Sequence, residues 1–148
     1  MTKTKKQIVT VAVSWALVVA CMIIIFFLSA QNGADSQMLS DDFTFFLGLP
    51  LSVVNFIRKA AHFLEFTGLA VLIYNALYQT FGFTRPYLSF ILTAAYAVSD
   101  EIHQIFVPER ACRLFDVFVD CCGAVTGIAV LSVIVFICKK YKSRRGLI

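Results

Sequence analysis

Positions 8–30 carry no charged residue. A helix of that length rises about 1.5 Å per residue and crosses a hydrocarbon core of about 30 Å with some tilt. Three more apolar runs follow, at 56–78, 87–107 and 116–138. The second opens on Arg58, Lys59, His62 and Glu65, the third is uncharged until Asp100, Glu101 and His103, and the fourth is polar only at its start, with Asp116 and Asp120. Gly82 and Pro86 in the link 79–86 fit a tight turn between antiparallel helices, and Pro108 stops the third run. The stretch 31–55 differs: Gly33, Asp35, Asp41, Asp42, Gly48 and Pro50 interrupt Phe43, Phe45 and Phe46, the pattern of a segment lying at a membrane interface. Positions 1–148 therefore predict one domain, an all-α integral membrane bundle of four transmembrane helices.

Composition supports that class. Of the 148 residues, 59% are hydrophobic and 15% charged, against about 25% charged in an ordinary soluble domain, and the mean hydropathy is +0.82. A nucleic-acid partner is not expected of so apolar a chain, and the position of its net charge of +4 bears on membrane orientation. Lys3, Lys5 and Lys6 before an apolar run resemble a signal peptide, but such h-regions hold roughly 7 to 15 residues, so the run at 8–30 is expected to stay as the first helix. The five cysteines, at 21, 112, 121, 122 and 138, form no CxxC pair, and no disulfide framework or zinc site follows.

Charge also orients the spans. Nine cations (Lys3, Lys5, Lys6, Arg85, Lys139, Lys140, Lys142, Arg144, Arg145) fall on one side and four (Arg58, Lys59, Arg110, Arg113) on the other, toward which all nine acids also lie. Short cytoplasmic loops retain positive charge, so both termini are expected in the cytoplasm of a multi-pass protein of the bacterial cytoplasmic membrane.

With that orientation the polar start of the second span and the polar end of the third share the outer third of the bilayer. Glu65 lies 13 residues from Tyr78 and Asp100 lies 13 from Tyr87, each about 20 Å above the inner boundary at helical rise. Arg58, His62 and Glu65 stack at i, i+4 and i+7 with Lys59 alongside, as do Asp100, His103 and Gln104 on the third helix and Asp116 with Asp120 on the fourth. A charge at the bilayer centre costs roughly 2.5–3.5 kcal/mol, so these stripes should face one another or water. His62, Glu65, Asp100 and His103 are the candidates for acid–base chemistry, and Arg58, Lys59, Glu101, Gln104, Arg110, Asp116 and Asp120 those for holding a ligand. The set contains metal-ligand types, but His-x-x-Glu lacks a diagnostic second half, so neither a metal nor another cofactor is expected. Gly123 and Gly127 form a Gly-x-x-x-Gly that permits close helix approach.

The run from Phe56 through Arg58, Lys59, His62 and Glu65 to Phe66, followed by Ser99-Asp100-Glu101-Ile102-His103-Gln104-Ile105-Phe106-Val107-Pro108, resembles the VanZ-like family of bacterial membrane proteins. The resemblance continues through Arg110, Asp116, Asp120, Gly123 and Gly127, and Ser29 with Gln31 is similar to the family's Ser-x-Gln after the first helix. Phe66 replaces a frequent Tyr and Glu109 a usual Gly. The resemblance implies a cell-envelope membrane protein associated with resistance to the glycopeptide teicoplanin, but no reaction. Three functions stay open: an outer-leaflet site for an anionic lipid-linked component such as a cell-wall precursor or glycolipid, with membrane lipids as partners; a membrane enzyme using His and carboxylate acid–base chemistry on a lipid phosphate or acyl linkage; and a structural or partner protein. The orientation is checked with the native thiols. A membrane-impermeant reagent on whole cells should label Cys112 and spare Cys138, and the converse would reverse the topology.

Overall fold

The computed structural model describes residues 4–30, 51–108 and 114–144. Within them the chain forms four helices: α1 (Lys5–Ser29), α2 (Leu51–Phe81), α3 (Pro86–Gln104) and α4 (Leu114–Arg144), and among the described residues there is no strand. Three stretches, Lys5–Ser29, Lys59–Phe81 and Leu114–Arg144, are long and apolar enough to cross a membrane. The 19-residue α3 is about 28 Å long at helical rise. It falls short of the others in hydropathy because it carries the buried polar face of the bundle.

The helices overrun the apolar runs that announce them, since hydropathy reports the hydrocarbon and not the hydrogen-bond ladder. α1 starts at Lys5, where Thr4 and Gln7 close a capping box: the Gln7 backbone N–H donates to Thr4 Oγ1 at 3.4 Å, and the Thr4 N–H donates to Gln7 Oε1 at 3.2 Å. α2 begins at Leu51, so 51–55 belongs to a helix and not to the expected interfacial segment, whose remaining residues 31–50 lie outside the described residues. It ends at Phe81 because Gly82 adopts φ +78, the left-handed stop that glycine takes without strain. Pro86 then occupies the first turn of α3, where its missing N–H costs nothing. That helix ends at Gln104 and not at 107: Ile105, Phe106 and Val107 donate to carbonyls three residues back, a tightened turn imposed by the approach to Pro108.

α2 is the centre of the bundle. It packs against all three other helices, most extensively against α4, whereas α1 and α4 flank it without touching among the described residues. Its buried face holds Phe66, Leu69, Ala70, Ile73, Tyr74, Ala76 and Leu77, joined by Val18 and Ile25 of α1, Ala97 of α3 and Ala124 and Ile128 of α4. In lipid such packing has no water to escape, so close fit and hydrogen bonds hold the helices. Trp15 Nε1 donates to Thr80 Oγ1 at 3.0 Å, Ser89 Oγ to the Ala70 carbonyl at 2.8 Å and Tyr96 Oη to the Met22 carbonyl at 2.6 Å. These bonds set α1 antiparallel to α2 and bring the end of α1 to the end of α3, so Lys5 and Arg144 lie at the end of the bundle opposite Asp100.

The tightest approach is between α2 and α4. A Cβ on Gly123 would collide with the Phe63 carbonyl oxygen, and one on Gly127 would stand 2.7 Å from that of Thr67. Thr67 Oγ1 bridges the crossing, donating to Phe63 O at 2.6 Å and lying 3.0 Å from Gly123 O. Gly123→Ala should therefore destabilise the protein by about 1–3 kcal/mol. A Cβ on Gly68 meets nothing within 4 Å, so Gly68→Ala should be neutral or stabilising by up to about 1 kcal/mol. Thermal unfolding in detergent checks both.

Candidate functional site

At one end of the bundle, the last turn of α1, the last turns of α3, the early turns of α2 and the start of α4 bring polar side chains together. Asp100 is 3% exposed, and one of its oxygens is fully engaged. Ser29 Oγ donates to Asp100 Oδ2 at 3.0 Å, Gln104 Nε2 donates to the same oxygen at 3.1 Å, and Gln104 Nε2 also donates to Ser29 Oγ at 3.0 Å. The triangle forms because Asp100 and Gln104 are one turn apart on α3 and α1 delivers Ser29 against them. Asp100 Oδ1 has no hydrogen-bond partner among the described residues.

Asp120, 1% exposed, stands on α4 one turn before Gly123, at the level set by the α2–α4 crossing. Glu65, Asp100, Glu101 and Asp116 all lie close enough for their charges to be felt at Asp120, and Glu65 acts in the same way on Cys21 of α1. Five carboxylates from three helices thus share one polar region. Asp120 Oδ1 and Asp116 Oδ1 also have no hydrogen-bond partner among the described residues. Among those residues no group of three or more His, Cys, Asp or Glu is arranged to hold a metal ion.

The imidazoles stand at the edge of this region. His62 Nδ1 lies 3.9 Å from Glu65 Oε2, with both side chains 24% exposed. His103 does not join Asp100 and Gln104; its ring packs on Phe26 of α1 with centroids 4.4 Å apart. All three face α1, but His103 meets Phe26 where Asp100 and Gln104 meet Ser29. Lys59 is exposed, its ammonium 4.3 Å from the centroid of the Phe115 ring, a cation–π contact that ties the early turns of α2 to the start of α4. Arg58 belongs to α2, but its side chain is not among those described, and Arg110 and Arg113 lie outside the described residues.

Two members of the site are not among the candidates that charge alone selects. Ser29 is buried and fixes Asp100, and the signal for it is its place at the end of the first span, in the Ser-x-Gln of the family resemblance. Tyr96 lies within electrostatic reach of Asp100 and ties α3 to the Met22 carbonyl. Neither carries a charge, so a search for ionisable stripes passes over both.

A family model described as VanZ/LLP1 matches residues 14–136. The chain belongs to the VanZ/LLP1 family. The matched region of this VanZ/LLP1 protein runs from within α1 to the last turns of α4 and takes in the whole polar end. No curated protein and no solved structure matches the chain.

The triangle predicts coupling. Ser29→Ala and Gln104→Ala each remove a donor from a buried carboxylate and should each cost about 1–3 kcal/mol. Because they share one acceptor, the double variant should depart from additivity by at least about 0.5 kcal/mol, and additive losses in detergent unfolding would show that the two donors act independently.

Proposed function

We propose that this VanZ/LLP1 membrane protein resides in the bacterial cytoplasmic membrane with both termini inside. Its polar site then opens toward the outer leaflet, where it takes the head group of an anionic lipid-linked envelope component such as a cell-wall precursor or glycolipid. The observation that carries the reading is the buried carboxylate oxygens that lack a donor. Asp100 Oδ2 receives two hydrogen bonds, whereas the buried Asp100 Oδ1 and Asp120 Oδ1 receive none from the described residues. A purely structural network would engage both oxygens, since an unsatisfied buried acceptor costs about 1–3 kcal/mol. Buried acceptors left without donors at the end of a bundle suit hydroxyl and amide donors of a sugar or peptide head group. The anionic part is matched by Arg58, Lys59 and Arg110, which sit in the sequence beside the same polar end.

Orientation supports the outer leaflet, because nine of the thirteen Lys and Arg fall on the opposite side of the spans. The role in teicoplanin resistance that the family resemblance implies fits the same location, since that antibiotic carries a lipid tail and acts on the cell-wall precursor at the outer leaflet. Acid–base catalysis is supported less well. The His62–Glu65 separation of 3.9 Å exceeds the roughly 2.6–3.2 Å reach of a working general base, and no Ser or Cys with a nucleophile motif accompanies the pair.

Asp120→Asn keeps shape and removes one acceptor. Expressed in a teicoplanin-susceptible host, the variant should lose resistance at unchanged folded yield and thermal stability. In detergent its retention of a polyprenyl-phosphate-linked saccharide should fall about tenfold, the loss expected for one charge-assisted hydrogen bond. Wild-type resistance and wild-type retention would overturn the reading.

A further inference from the structure

Below the polar end the backbones of α2 and α4 meet at Gly123 and Gly127, where the Phe63 and Thr67 carbonyls leave no room for a Cβ. Tyr74 and Ile128 continue the contact on the buried side, and beside it stand the bulky Val71, Val130, Leu131 and Ile134. Between them lies a cavity of about 220 Å³, open to the side, lined by these four with Thr67, Thr126 and Gly127.

Its lining is apolar for a specific reason. Thr67 spends its hydroxyl on the Phe63 and Gly123 carbonyls, and Thr126 donates to the Cys122 carbonyl at 2.8 Å, so both threonines offer the groove only their methyls. The groove lies on the α4 face that carries Asp120, beyond the crossing. Gly127 and Ile134 are seven and fourteen residues past Asp120, on the same face of the helix and about 10 and 21 Å along it. Both walls belong to helices long and apolar enough to cross a membrane, which puts the groove at hydrocarbon depth.

We propose that this groove seats one hydrocarbon chain of the lipid whose head group occupies the polar site, the chain lying along the outer side of the α2–α4 seam where Val130 and Ile134 are exposed. The inference rests on the head-group reading and adds the class of ligand: a membrane-resident amphiphile recognised by head and tail together, and not a water-soluble saccharide or peptide. The size is sufficient, because a cavity of about 150 Å³ already accommodates benzene. Burial from water contributes nothing here, since lipid tails are as apolar as the walls. Occupancy must come from the anchored head group and from the fit of the chain against Val71, Val130 and Ile134.

The test uses the full chain in vesicles containing phosphatidylglycerol with a photoactivatable diazirine in one acyl chain. After irradiation, labelled residues are mapped by mass spectrometry. Labelling at Val71, Leu131 and Ile134 should exceed that at the exposed Ile24 of α1 several-fold. Thr126→Phe, which fills the groove from its rim, should abolish the excess and lower saccharide retention together. If Thr126→Phe removes the labelling but leaves saccharide retention intact, the tail inference fails and the head-group reading survives. If Asp120→Asn changes neither retention nor labelling, the head-group reading fails and the tail inference with it. Equal labelling of the groove and Ile24, or a wild-type dimer that Thr126→Phe dissociates in native mass spectrometry, would overturn the proposal, the latter in favour of a second copy as occupant.

Discussion

The bundle is organised around the missing side chain at position 123. Because α4 has no Cβ there, its backbone reaches the Phe63 carbonyl, and Thr67 can hydrogen-bond across to the Gly123 carbonyl. Hydrogen bonds between helices in lipid average only about 0.6 kcal/mol, so this one does not hold α2 and α4 together unaided. What the approach sets is register. One turn toward the polar end it puts Asp120 within electrostatic reach of Glu65, and in the other direction Val71 and Val130 border the groove. The polar region and the apolar groove are the two sides of one crossing.

That crossing also explains how so many carboxylates are tolerated. At the bilayer centre a charge costs on the order of 2.5–3.5 kcal/mol on insertion scales, and three of the five carboxylates, Asp100, Glu101 and Asp120, are buried. The bundle manages the cost by sharing donors and not by pairing every acid. Ser29 and Gln104 both serve a single oxygen of Asp100 and are bonded to each other, so three side chains from α1 and α3 form one unit. Tyr96 and Trp15 spend their polar atoms on the Met22 carbonyl and Thr80, fixing α1 against its neighbours and holding Ser29 in place. The donor set stops at one oxygen of the buried Asp100 carboxylate, and the proposed head-group contact starts from the oxygen left over.

How much of this was legible beforehand follows the range of the interactions. Uninterrupted apolar runs announce helices, because a lipid-exposed chain must satisfy its backbone internally, and all four helices were readable. Their ends were not, because the Thr4–Gln7 capping box and the three-residue hydrogen bonds after Gln104 are local geometry that hydropathy does not sense. Spacing of charges correctly placed Asp100 with Gln104, since one turn of α3 decides it. It set His103 on the same stripe, but three residues of rotation were enough to turn that ring to Phe26. Lys59 escaped the same logic, because its partner Phe115 comes from another helix and is apolar.

Ser29 shows where such reading stops. An uncharged residue at the end of an apolar run looks like a boundary, and only the meeting of α1 with α3 makes it the donor on which Asp100 depends. The reverse holds at Gly127, where the spacing from Gly123 signals contact yet says nothing of the groove beyond it. Contact was encoded in small residues and the groove in the bulk of Val71, Val130 and Ile134, which in sequence are indistinguishable from any lipid-facing side chain. Their place in the bundle comes from what stands above them on α4, a backbone crossing and then, about three turns from Val130, the buried carboxylate of Asp120. On the proposed head-group reading, an apolar wall on the helix face of a polar site suits an amphiphile, because only a molecule with both characters can contact the two at once.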